Sequence, residues 1–219
     1  MNIACITYRK WALDIYNNLY SVYKNDHNFL IWSDKNDFDS SNLKKFKPDL
    51  ILWYGWSWKV EEEFVINYKS IMLHPSPLPK YRGGSPIQNQ IINNEKTGAV
   101  TLFRMNEGID TGDIYQQFKM DLTGSLNEIF TRISIIGFSA TCNIIEGNYN
   151  ILKQNDSEST FYKRRLPEES EITVSELKNK PAEYLYNKVR MLADPYPNAF
   201  IKTSDNKKLI IKVVEVKDF

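Results

Sequence analysis

The chain has 219 residues, of which 42% are hydrophobic and 25% charged, with a formal net charge of +1. That size suits one α/β domain with a small appendage, and the apolar fraction excludes a disordered chain. The near-zero charge gives no footprint for non-specific nucleic-acid binding, so no nucleic-acid partner is expected.

Asn2 to Thr7 is a short apolar run that reads as a buried first strand. The longest apolar runs are shorter than about ten residues, too short to span a bilayer, and no signal peptide is read at the start. A cytoplasmic protein without a membrane partner is the expectation. The two cysteines, Cys5 and Cys142, lie far apart in apolar surroundings and read as reduced and buried. No paired Cys/His spacing offers a metal site.

Trp11 to Tyr23 has helical periodicity, Phe29–Trp32 is a second strand, and Ser40–Phe46 a short helix. Leu50–Trp53 is a third strand, Val60–Ile66 a short acidic helix, and Ser70–Leu73 a fourth strand ending at His74. This alternation predicts a parallel sheet with helices on both faces. Pro75 to Pro86 is then a Pro/Gly-rich loop, followed by a short helix over Ile87–Ile92. Ala99–Met105 and Asp113–Met120 are strands close enough in sequence to pair antiparallel, which makes the sheet mixed. Leu126 to Leu152 reads as one long covering helix, and the polar stretch Gln154–Thr160 as a boundary. The expected organisation is a Rossmann-like catalytic domain over 1–155 and a small region over 156–219 packed on it. That region holds a helix from Pro181 to Leu192 and a hairpin of Ala199–Thr203 with Leu209–Val216, whose exposed strand edges could pair two chains.

The chain has two histidines. His27 sits in the turn-like string Asn25-Asp26-His27-Asn28. His74 closes a strand of an open α/β sheet, where ligands bind beyond the carboxyl ends of the strands. The turn Gly108-Ile-Asp110-Thr-Gly112 offers a carboxylate, and both segments reach the same sheet edge if the fourth and fifth strands are neighbours. A carboxylate beside an imidazole orients it and raises its basicity, the arrangement a general base needs.

The motif His74-Pro-Ser-Pro-Leu-Pro79-x-x-Arg82-Gly-x-x-Pro86, followed by Met105-x-x-Gly108-x-Asp110-Thr-Gly112-Asp113-Ile114, resembles the folate-dependent formyltransferases. His74 and Asp110 are 36 residues apart, the family's separation, and the resemblance covers at least residues 50–120. It implies that His74 is the general base and acid, oriented by Asp110. It also implies that N10-formyltetrahydrofolate is the formyl donor. The family places Asn two residues before the His; here Met72 stands there and has no donor. Loss of one oxyanion donor costs on the order of 3 kcal/mol.

The pterin-binding place in the family corresponds to Trp56, Ser57, Trp58 and Val60, joined by Met72 and Asp110. The loop residues Lys80, Tyr81, Arg82 and Gly84 fall where a substrate, with its pyrophosphate, would lie. Tyr162-Lys-Arg-Arg165-x-Pro167-Glu168 and Pro195-Tyr-Pro-Asn-Ala-Phe200 are similar to the sugar-directed branch. The chain length argues against a methionyl-tRNA formyltransferase, which carries a larger basic C-terminal domain. The resemblance therefore implies N-formylation of a nucleotide-linked amino sugar. The alternatives are a glycinamide ribonucleotide formyltransferase-like enzyme and an inactive folate- or nucleotide-sugar-binding module.

Overall fold

In a computed structural model, which describes residues 1–218, the first third of the chain alternates strand and helix. The order is β1 (Asn2–Ile6), α1 (Lys10–Tyr23), β2 (Asn28–Trp32), α2 (Ser40–Phe46), β3 (Leu50–Leu52), α3 (Glu62–Ile66) and β4 (Ser70–His74). β1 pairs in parallel with β2 and β3, and β3 with β4. The chain continues through β5 (Arg82–Gly83), α4 (Pro86–Ile92), β6 (Thr97–Arg104) and β7 (Ile114–Asp121). β6 runs antiparallel between β4 and β7, so the sheet order is β2-β1-β3-β4-β6-β7. This is the mixed, mostly parallel Rossmann-like sheet that the alternation predicts.

Side chains alternate across each strand, and this decides which face carries the chemistry. Ile71 and Leu73 of β4 enter the large core cluster that α1 contributes to through Ile15 and Leu19. Met72 lies on the other face with a second cluster, built from Trp53, from Leu43 of α2 and from Phe64 of α3. His74, two residues on, shares the face of Met72.

α5 (Leu126–Ile145) begins with a capping box in which Ser125 and Glu128 satisfy each other's backbone groups. It stops well before the expected end at Leu152. Gly147 follows with a φ of 79°, a left-handed conformation that ends a helix, and Leu152 instead bridges Ile114 at the start of β7. α5 is also long and apolar enough to cross a membrane by length and composition. Reading unbroken apolar runs misses it because Asn127, Glu128 and Arg132 interrupt the run. Here Ile129, Ile133, Ala140 and Ile144 are buried in the core cluster that also holds α1 residues.

The remainder holds β8 (Phe161–Tyr162), α6 (Val174–Asn179), α7 (Ala182–Arg190), β9 (Ala199–Lys202) and β10 (Lys208–Ile211). β9 and β10 form the expected antiparallel hairpin, which closes at Ile211 rather than running on to Val216. α6 is an addition to the sequence reading, although its capping box, Thr173 with Glu176, is a legible signal. Ile172, Val189, Met191, Leu192 and Ala199 are buried in the same cluster as Ile3 and Leu19, so the C-terminal residues share the core of the sheet domain. Both cysteines are free thiols; Cys5 is buried, Cys142 is partly so, and burial pushes both thiols up.

Candidate active site

His74 is 5% exposed at the carboxyl end of β4. Its Nε2 lies 2.8 Å from the backbone carbonyl oxygen of Tyr81. A carbonyl only accepts, so Nε2 carries the proton, and in the neutral ring Nδ1 holds the lone pair. Nδ1 is 3.5 Å from Oδ2 of Asp110, itself 9% exposed. That same oxygen accepts a 2.8 Å hydrogen bond from the backbone N–H of Gly83. A nitrogen that can accept a proton therefore faces a carboxylate that would stabilise the resulting cation. This is the geometry of an acid–base pair.

The two residues do not meet by lying at one sheet edge. Antiparallel pairing sets Arg104, the last residue of β6, beside Ile71 in the first half of β4, while His74 is opposite Thr101. Asp110 meets His74 because the connection from β6 to β7 folds back. Asp110 has a φ of 54°, a left-handed conformation rare outside glycine, asparagine and aspartate. Within the turn, Asn106 Oδ1 accepts from Gly108 N and from the Thr111 hydroxyl.

The other expected site residues fall into distinct settings. Met72 is half-buried and packs against both the Trp53 cluster and the smaller cluster of Leu78, Phe103 and Ile114. It fills apolar space beside His74. From Trp53 the chain leaves the sheet: Trp56 is half-buried against Phe38 and Trp53, Trp58 is 38% exposed, and Val60 is buried. Ser57 shares its hydroxyl between Tyr8 OH at 2.6 Å and Nη2 of Arg164 at 2.8 Å. Backbone groups from Ser57 to Val60 make no backbone hydrogen bonds among the described residues. An apolar, aromatic segment with unengaged peptide groups fits a flat heterocycle with polar edges.

The loop residues have structural employment instead. Tyr81 is buried and stacks on Tyr162 at 4.9 Å, and its hydroxyl donates to Glu95 at 2.8 Å. Burial, with Glu95 adding to it, pushes this phenol up to about 12. Arg82, expected to meet a substrate's pyrophosphate, is 7% exposed, and its guanidinium is engaged by Gln154 and Asp156. A Cβ at Gly84 would lie 2.3 Å from Cα of Arg164, so this glycine serves a close backbone crossing. Lys80 is exposed.

Sequence reasoning missed Gln154. It opens a polar stretch that reads as a boundary, yet it contacts both the Asp110 turn and Arg82. No periodicity or motif in its own segment signals this.

Comparison with known proteins places the fold and the pair in context. A family model described as "Formyl transferase" matches residues 24–130. The solved structure of a methionyl-tRNA formyltransferase from Clostridium thermocellum is 31% identical with a TM-score of 0.86. The match covers 96% of this chain and 97% of that one. The bifunctional polymyxin resistance protein ArnA of Wigglesworthia glossinidia brevipalpis is 34% identical over 178 residues, 78% of this chain and 27% of that protein. A sugar N-formyltransferase from Shewanella sp FDAARGOS_354 has the same fold, with 17% identity, a TM-score of 0.77, and coverage of 100% of this chain and 99% of that chain.

The chain belongs to the formyltransferase family, whose formyl donor is N10-formyltetrahydrofolate. It spans 50–61% of the curated methionyl-tRNA formyltransferases it matches. The Clostridium structure, however, is matched almost end to end, so chain length does not separate a tRNA acceptor from a sugar acceptor.

Proposed function

We propose that this chain transfers the formyl group of N10-formyltetrahydrofolate to the amine of a nucleotide-linked amino sugar, of the UDP- or TDP-4-amino-4,6-dideoxy type. The observation that carries the transfer reaction is Nδ1 of His74 held 3.5 Å from the Asp110 carboxylate, with Nε2 turned to the Tyr81 carbonyl. The neutral amine attacks the formyl carbon, a C–N bond forms, and negative charge develops on the formyl oxygen. Nδ1 takes the proton from the attacking nitrogen and returns it to N10 of the folate as that C–N bond breaks. The products are a formamide and tetrahydrofolate. Asp110 stabilises the intermediate imidazolium, and holding both reactants beside one strand end makes the step effectively unimolecular. Trp56, Ser57, Trp58 and Val60 are assigned to the pterin, and the exposed Lys80 to a substrate phosphate. Because Met72 supplies no donor, the oxyanion is assigned to the imidazolium N–H or to water.

The sugar acceptor is supported by the likeness of Tyr162-Lys-Arg-Arg165-x-Pro167-Glu168 and Pro195-Tyr-Pro-Asn-Ala-Phe200 to the sugar-directed branch. A second reading, the amine of methionyl-tRNA, is favoured by curated relatives 29–36% identical. Release of tetrahydrofolate from formyl-folate, measured with UDP-, TDP- and GDP-linked amino sugars, glycinamide ribonucleotide and charged tRNA, decides between them. Release that requires an amino sugar supports the proposal. Release that requires methionyl-tRNA overturns the acceptor, and no acceptor-dependent release by folded protein overturns the reaction.

A further inference from the structure

The Asp110 turn holds an unusual backbone, and one side chain outside both catalytic motifs bonds to it. Nε2 of Gln154 donates to the carbonyl oxygens of Asp110 at 2.9 Å and of Gly112 at 2.7 Å. Its Oε1 accepts from Nε and Nη2 of Arg82, at 3.1 and 2.8 Å. The residue after Arg82 is Gly83, whose N–H donates to Asp110 Oδ2. A closed ring results: the turn carbonyl to Gln154, Gln154 to Arg82, Gly83 to the Asp110 carboxylate.

Both side-chain atoms of Gln154 are needed for this ring, one as a double donor and one as a double acceptor, a combination only an amide supplies. A left-handed non-glycine residue persists where its surroundings over-determine it, and Gln154 bonds directly to the peptide concerned. The residues after Gln154 fasten the other loop. Thr160 accepts from Tyr81 N through its hydroxyl and from Arg82 N through its carbonyl, and β8 pairs in parallel with β5. The peptide carbonyl of Tyr81 is the one that fixes the His74 tautomer.

We infer that Gln154 is a positioning residue, which sets the Asp110 carboxylate against Nδ1 of His74 by clamping the two catalytic loops together. This rests on the acid–base reading of the pair, and the test separates the two. With two histidines in the chain, ¹⁵N-histidine labelling gives a readable spectrum, assigned with His27→Gln. The Nδ1 resonance of His74 is measured at fixed pH in wild type, Asp110→Asn, Gln154→Ala and Gln154→Glu. The glutamate keeps an acceptor for Arg82 but presents no donor to the two carbonyls.

The expected result is that both Gln154 variants move the Nδ1 resonance in the direction of Asp110→Asn. In turnover, kcat falls by about 10- to 100-fold, with KM for the formyl donor changed less than about threefold. A resonance unmoved in folded Gln154→Ala and Gln154→Glu, or a kcat within about twofold of wild type, overturns the inference. If wild type transfers no formyl group, the functional reading fails while the Nδ1 resonance still decides the positioning role. If Gln154→Ala does not fold, Gln154→Glu carries the same comparison.

Discussion

At the scale of single residues, the candidate chemistry narrows to one imidazole nitrogen and one carboxylate oxygen. Replacing His74 with Ala removes the proton acceptor. Asp110→Asn keeps the shape, and Asn tolerates the left-handed backbone, so it isolates the charge. Each is expected to lower kcat by at least about 10² while circular dichroism stays native; near-normal turnover in either folded variant would remove the roles assigned. Met72 makes a sharper case. Its thioether fills a gap between two apolar clusters, so Met72→Asn should lower Tm, because a polar amide replaces apolar packing at a half-buried position, a cost of about 1 kcal/mol. If the imidazolium or water serves the oxyanion, the same variant changes kcat by less than about tenfold. Acceleration approaching 10³-fold would show that the wild-type site lacks a donor. The pair itself was legible, because His74 and Asp110 each lie within a contiguous motif. Gln154 was not, because its partners are 44 and 72 residues away in sequence and are brought to it only by the fold.

At the scale of elements, the four parallel strands were legible because apolar runs bounded by turn residues leave little choice of register or face. The strands of two residues, β5 and β8, were not, since two residues carry no period. Yet this short pairing holds the loop that follows His74. Gly84 is where it is most exposed to test: a methyl there would press on the backbone of Arg164, which cannot rotate away. Gly84→Ala should therefore cost about 1–3 kcal/mol in stability and reduce turnover, with amide exchange accelerated in residues 81–84 and 161–164. Unchanged exchange there would mean that the crossing accommodates a methyl group. The overlong reading of α5 has an equally local cause: apolar residues continue to Leu152 in number, but Gly147 turns the chain and Leu152 joins the sheet instead.

At the scale of the whole molecule, the C-terminal residues are held to one another by a buried polar cluster. Lys188 is buried, and its ammonium donates to both carboxylate oxygens of Glu176, at 2.7 and 2.9 Å, and to the carbonyl of Glu171. Burial by itself would raise the Glu176 carboxyl, but the bonds from Lys188 and from the Thr173 N–H prevail and hold it below its usual value. A carboxyl lowered by folding contributes stability that is complete above its unfolded value and is lost as pH falls through its folded one. Glu176→Gln should then cost on the order of 3 kcal/mol near neutral pH by leaving a buried cation uncompensated. The gap in Tm between variant and wild type should close in acid; a gap independent of pH would assign it to packing alone. The ring around Gln154 also has a consequence for the order in which the chain is made. His74 and Asp110 leave the ribosome before Gln154 and β8 do, so a nascent chain carries both reactive groups while the clasp between them is still unsynthesised. Closure of this site waits on the emergence of the residues that lock it.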